Sequence, residues 1–148
     1  MENYEQLKLD NQLCFPLYAC ARKIVNCYTP YFKPLGITYT QYIVFMVLWA
    51  RDGVSVRELG EQLYLDSGTL TPLLKKMESS GYVRREHCRS DERVTLVFLT
   101  EEGRAMREKC RGIPERLGEQ VRCFTPDEAQ TLRALLYRFL DCEREDAE

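Results

Sequence analysis

A mainly α-helical chain carrying one small β-hairpin is what this sequence predicts, in the order α-α-α-α-β-β-α-α. Three observations predict it. Most of the 148 residues read with helical periodicity. Cap residues stand ahead of those stretches, at Thr38 or Thr40, Ser55, Asp66, Thr100 and Thr125. Only "YVRRE" and "RVTLVFLT" read as β-prone runs, joined by the polar "HCRSDE".

The first helix is expected from Asn11 to Tyr28, stopping before Pro30 and Pro34, with Pro16 early inside it and Asn11 as cap. A second helix, capped by Thr38 or Thr40, runs through Ala50 and is apolar on every side, hence buried. After Gly53, "SVRE" is a capping-box pattern that starts a short third helix ending at Leu63. "DSGTLTPLLKKMESSG" opens on Asp66 and Ser67 and closes at Gly81. Its Leu70, Leu73, Leu74 and Met77 make one apolar stripe, and the opposite face presents Ser67, Thr69, Thr71, Lys75 and Lys76. The hairpin follows. Thr100 then caps a helix towards Phe124, and "TPDE" supplies the cap, the first-turn proline and the capping glutamate of a last helix. That helix is expected to bury Leu132, Leu135, Leu136, Phe139 and Leu140.

Length and composition suit one soluble domain, 45% hydrophobic and 30% charged. No stretch approaches the roughly 20 apolar residues of a membrane span. The polar N-terminus "MENYEQLKLD" is not a signal peptide, so a cytoplasmic protein that meets no membrane is expected. The cysteines, at 14, 20, 27, 88, 110, 123 and 142, are odd in number and read as free thiols. With no C-x-x-C pair and one histidine, His87, neither a metal nor another cofactor is expected.

A net charge of −2 hides an asymmetry. Between Pro72 and Thr100, Lys75, Lys76, Arg84, Arg85, Arg89 and Arg93 outweigh Glu78, Glu86, Asp91 and Glu92, whereas Asp141–Glu148 is acidic. Local charge decides phosphate binding. Two short helices joined by a tight turn, then a charged hairpin, make a winged helix-turn-helix. Hydroxyl residues and lysines suit a major groove, and the hairpin arginines suit the negative potential of a minor groove. Taken singly, each of these charges is as well explained by solvation; taken together they favour double-stranded DNA.

"SVRELGEQLYLDSGTLTPLLKKMESSGYVRR" and "RSDERVTLVFLTEEGR" resemble the MarR family of dimeric winged-helix repressors, and the likeness runs from about Lys8 to Leu140. The resemblance implies one domain over 1–148. Dimerisation helices would occupy about 11–35 and 101–143, and a DNA-binding lobe about 38–100. It places Asp66, Ser67, Thr69, Thr71, Lys75 and Lys76 on DNA, with Asp91 and Arg93 in the wing.

"DNQLCFPLYA" leaves open whether Cys14 is a small buried residue or a reagent. Free cysteine is more often buried and inert. A free thiol titrates near 8.5, and its thiolate is the form that reacts with peroxides; phenolic O–H donors favour that anion. Tyr18 is one helical turn from Cys14, while Tyr28 and Tyr39 reach it only through the fold or a partner chain. "LDNQLCFPLYA" also resembles the organic-hydroperoxide-sensing OhrR branch of the family, which implies that Cys14 is the redox-sensing residue with Tyr18, Tyr28 and Tyr39 around it. Pro16 departs from that pattern. Some members of the branch resolve the oxidised thiol with a second cysteine near the last helices, the region of Cys123; Cys88, in the wing, reads as a solvated bystander.

The reading implied is a homodimeric repressor on a pseudo-palindromic operator, released when an organic hydroperoxide oxidises Cys14, with Cys123 or a low-molecular-weight thiol completing the reaction. One rival keeps the fold but takes a small aromatic or phenolic ligand as signal. A thiol-dependent peroxidase or reductase would need a base or resolving partner that His87, far along the chain, does not offer. A dimerisation module without DNA affinity would ignore charge reversal at Lys76 or Arg93.

Overall fold

Residues 4–120 and 122–142 are described by the computed structural model. Two single 3-10 turns, Glu5–Leu7 and Leu9–Asn11, lead into α1 (Cys14–Phe32); a third, Lys33–Leu35, ends on left-handed Gly36 and delivers α2 (Tyr39–Ala50). Then come β1 (Val54–Ser55), α3 (Val56–Leu63), α4 (Ser67–Ser79), β2 (Val83–His87) and β3 (Thr95–Leu99). The chain finishes with α5 (Glu101–Cys110), α6 (Ile113–Gln120) and α7 (Pro126–Leu140).

Caps fix most of the starts. Thr38, Ser55 and Thr125 each form a reciprocal capping box, with Gln41, Glu58 and Glu128 respectively. Asp66 and Thr100 accept from the backbone N–H groups of Thr69 and Gly103. The core sits where α2 crosses the lobe: Val44, Phe45 and Leu48 pack with Leu59, Leu70, Leu74 and Met77 and with Val83, Val97 and Leu99. α2 is not buried all round, since Met46 is half exposed.

The sheet runs β1-β3-β2, antiparallel throughout, with Val54 opposite Val97 and Arg85 opposite Val97 on the other side. β1 adds a two-residue strand to the expected hairpin. Its Val54 is fully buried, and the adjoining Asp52 accepts from the Leu99 N–H at 2.8 Å and from Arg104 Nη2 at 2.8 Å, joining sheet to α5.

Four expectations need correction. α1 begins at Cys14, not Asn11, and Asn11 does not cap it: its amide donates to the Glu5 carbonyl at 2.8 Å. α1 also runs past Tyr28 through Pro30 to Phe32. Pro30 removes one N–H in the last turns, but Phe32 is driven into the core and stacks on Tyr28, and that burial holds the helix together. The helix expected from Thr100 to Phe124 breaks at Arg111–Gly112, where Gly112 loosens the backbone and Pro114 cannot continue the hydrogen-bond ladder. Finally, Leu132, Leu135, Leu136, Phe139 and Leu140 of α7 are not buried in the chain by itself. Of the acidic tail expected over 141–148, residues 143–148 lie outside the described residues. Among the described residues, no helix is long and apolar enough to cross a membrane.

Candidate nucleic-acid interface and thiol site

α4 owes its start to Asp66, whose Oδ1 accepts from Thr69 N at 2.8 Å, and its end to Gly81, left-handed at φ 78°. The Tyr82 N–H returns to the Met77 carbonyl at 2.9 Å, so the chain turns straight from the recognition helix into β2. α4 is pressed onto the core through Leu70, Leu74 and Met77. That leaves Ser67, Thr69, Lys75 and Lys76 exposed and Thr71 half-buried. Gly68 and Pro72 share the exposed side, an addition periodicity could have supplied. Asp66 stands at the end of this face, but its carboxylate is committed to the cap.

The wing arginines differ. Arg93 is nine-tenths exposed; its backbone N–H and its Nε both reach Asp91 Oδ1, at 3.1 and 3.0 Å, and its Nη2 reaches Oδ2 at 3.1 Å. Asp91 is thereby held below the usual carboxylate range and presents Arg93 outwards. Arg84 pairs with Glu86 and lies over the Phe98 ring at 4.7 Å. Arg89 is exposed at the tip, and it, Lys75 and Lys76 make no ion pair among the described residues. Arg85 is turned inwards onto Glu78. Cys88 lies at the wing, where the Ser90 hydroxyl and the N–H groups of Ser90 and Asp91 hold its thiol below the ordinary range.

Cys14 is the first residue of α1 and exposed. Tyr18, one turn on, is exposed with Arg22 over its ring at 5.6 Å. Tyr28 and Tyr39 come together at the other end of α1, ring centres 4.9 Å apart. Burial raises both above their ordinary pKa, with Tyr39 adding to the rise of Tyr28 and Tyr137 to that of Tyr39, so they stay protonated donors at neutral pH. The structure therefore joins Tyr28 to Tyr39 and not to Cys14. Fourteen residues of helix separate the sulfur from Tyr28, about 21 Å along the axis at about 1.5 Å per residue. Cys123 is exposed between α6 and α7, and all seven cysteines are free thiols. Among the described residues no group of His, Cys, Asp and Glu could hold a metal ion.

Residues 26–110 match the family model described as transcriptional regulator SarA/Rot. The chain is 43% identical to the organic hydroperoxide resistance transcriptional regulator of Bacillus subtilis over 143 residues, 95% of this chain and 96% of that protein. Reduced AbfR bound to DNA superposes with a TM-score of 0.74 at 37% identity, covering 92% of this chain and 94% of that one. The disulfide-formed state of AbfR, a protein of Staphylococcus epidermidis, gives 0.61 at 35% identity, covering 93% and 96%. A mutant of MarR from E. coli complexed with operator DNA gives 0.79 at 29% identity, covering 86% and 93%.

Proposed function

Since the chain belongs to the SarA/Rot family of MarR-like winged-helix transcriptional regulators, we propose that it is a homodimeric repressor that releases its operator when an organic hydroperoxide oxidises Cys14. The observation that carries this reading is the division of the thiol site along α1. An exposed sulfur begins the helix, and two protonated phenols close its other end. Two such helices crossing antiparallel about a twofold axis bring each sulfur to the phenol pair of the other chain, an isologous contact that completes both sites at once.

Exposed apolar side chains along α1 (Leu13, Phe15, Ile24, Val25) and α7 form the surface such a crossing needs. Leu13 and Phe15 flank Cys14 and favour an alkyl over a small polar peroxide. The thiolate sulfur attacks one peroxide oxygen, the O–O bond breaks, and the alcohol leaves with a proton; sulfur becomes sulfenic acid. Condensation with a second thiol, from Cys123 or a low-molecular-weight thiol, releases water and leaves a disulfide. The charge the phenols held is then gone and the site carries added bulk.

Release follows from geometry. Half-sites about 34–36 Å apart tolerate little change in the separation of two recognition helices. A shift worth about 5.5 kcal/mol inverts the population. The chain is nearer to AbfR bound to DNA, reduced or overoxidised at TM-scores of 0.74 and 0.72, than to the disulfide form at 0.61, which fits a DNA-binding conformation.

The test is an operator shift with reduced protein, after alkyl hydroperoxide with and without a small thiol, and after reductant, with intact mass read in parallel. Reversible release, a matching mass gain on Cys14, and indifference of Cys14→Ser to peroxide are expected. A second reading rests on a groove of about 650 Å³ between α2 and α5, floored by Tyr42, Met46 and Trp49 and rimmed by Arg104, Arg107, Glu108 and Arg111. Arg104 pairs with Asp52 and Arg111 with Glu108, which leaves Arg107 to meet a small aromatic or phenolic ligand. Release by peroxide that survives in Cys14→Ser, or release by an aromatic acid alone, would transfer the role to that groove.

A further inference from the structure

We infer that Arg85 is a positioning residue rather than a DNA contact: with Glu78 it forms a clamp that fixes the wing against the recognition helix. Glu78 is in the last turn of α4 and Arg85 in β2. Three donors of Arg85 converge on one carboxylate. Its backbone N–H reaches Oε1 at 3.0 Å, while Nε and Nη2 reach Oε2 at 3.1 and 2.8 Å. The side chain is 25% exposed, against 52% for Arg84 and 90% for Arg93.

The backbone contact says why a carboxylate belongs there. β2 is an edge strand, paired only with β3, so every second N–H points away from the sheet. At Arg85 that outward N–H faces α4, and Glu78 satisfies it while the guanidinium closes the other oxygen. Between them the chain passes through Gly81, whose left-handed turn has open space around it. A glycine turn alone leaves the angle between helix and hairpin soft. The clamp braces it four residues beyond: two charge-assisted bonds converge on Oε2 while the backbone N–H holds Oε1, which fixes direction as well as distance. A guanidinium drawn inwards onto a carboxylate also adds little attraction for a phosphate. The wing's outward charge is thus Arg89, which makes no ion pair among the described residues, and Arg93, which pairs with Asp91 but is 90% exposed. The pair at 78 and 85 determines where they land.

This inference rests on the operator-binding half of the reading above and is independent of Cys14, because fully reduced protein is used. The probe is the duplex that the wild-type protein selects from a randomised library. Affinity is measured across a salt series for Arg85→Ala, Arg85→Lys, Glu78→Ala and the double alanine variant. Arg93→Ala serves as comparator, and hydroxyl-radical footprints and thermal midpoints are taken for each. The expected result is a loss of about tenfold for either single alanine variant, with the double variant no worse than the singles. The salt slope stays at the wild-type value, and protection is lost on the wing-contacted flank while the recognition-helix contacts remain. Arg85→Lys, which keeps the charge and loses the fork, behaves as Arg85→Ala. The opposite pattern overturns the inference: a slope lowered by about one unit in Arg85→Ala, rescue by Arg85→Lys, and unchanged or tighter binding in Glu78→Ala. Should an alanine variant fail to fold, Arg85→Lys alone decides between the two. A wild-type protein that selects no duplex would sink the regulator reading itself, and the clamp with it.

Discussion

Gly103 shows how little slack single positions have where the wing meets the dimerisation helices. A Cβ built there would lie 2.2 Å from the carbonyl oxygen of Tyr82 and 3.0 Å from Leu99 Cδ2. Its own carbonyl accepts the Trp49 indole N–H at 3.0 Å, and its N–H caps onto Thr100. Backbone, not a flexible side chain, blocks the methyl, so Gly103→Ala should destabilise the protein by about 1–3 kcal/mol or more, read as a lower midpoint in chemical denaturation. A variant as stable as wild type would mean that α5 can slide from β2 without cost. Tyr42 offers a second residue-scale check. Buried at 4% exposure, it is pushed from 10.0 up to about 12, first by burial and then by Tyr28, Cys110 and Tyr39. The unfolded phenol ionises at its ordinary pKa while the folded one resists, so ionisation favours the unfolded chain. Stability is complete below about pH 10 and falls as pH rises towards 12, and Tyr42→Phe flattens part of that decline.

At the scale of elements, the caps were legible because a cap is a local bargain between one side chain and nearby N–H groups. Asp66 carries two readings. The sequence makes it a cap and the resemblance places it on DNA; its Oδ1 caps α4 at 2.8 Å from Thr69 N. Asp66→Asn should keep the cap, and Asp66→Ala should cost about 1 kcal/mol and weaken operator binding through a frayed helix start. Equal losses in both variants would instead assign the role to the charge. The break between α5 and α6 was also written in the sequence, in Gly112 and Pro114, but helical periodicity continues across it and conceals the kink. Pro30 worked the other way: a local stop signal was overruled by the burial of Phe32, which only the packed chain contains. Arg85 and Arg93 look alike in the sequence. What separates them is that Glu78 draws Arg85 inwards against α4, whereas Arg93 pairs with Asp91 on the wing itself and stays 90% exposed. The inward pairing depends on the turn at Gly81.

For the molecule as a whole, the proposed second chain is what would complete both the apolar surface and the thiol site. The apolar stripe of α7 announces burial, and the resemblance assigned that helix to a dimer interface; the chain by itself leaves Leu132, Leu135 and Leu136 at 38%, 46% and 37% exposure. A periodic stripe says that a face will be covered and is silent on what covers it. The thiol site has the same form, with Cys14 and the Tyr28–Tyr39 pair held at opposite ends of one rigid helix. Both are satisfied by one twofold dimer, in which every interface residue counts twice. Leu136→Asp removes from each chain a leucine whose remaining 37% exposure the dimer would cover, a part of the about 1.5–3 kcal/mol of a full burial, and places two carboxylates in apolar surroundings. The dimer constant should weaken by at least about a hundredfold, since each 1.4 kcal/mol is about tenfold. Sedimentation over a concentration series should find the wild type dimeric and the variant monomeric, with the helical content of the DNA-binding lobe kept. Operator affinity should fall towards that of a single half-site, and Cys14 should react more slowly with peroxide because the partner phenols that favour its thiolate are gone. A wild type that sediments as a monomer, or a Leu136→Asp dimer as tight as wild type, would leave the divided thiol site with nothing to complete it.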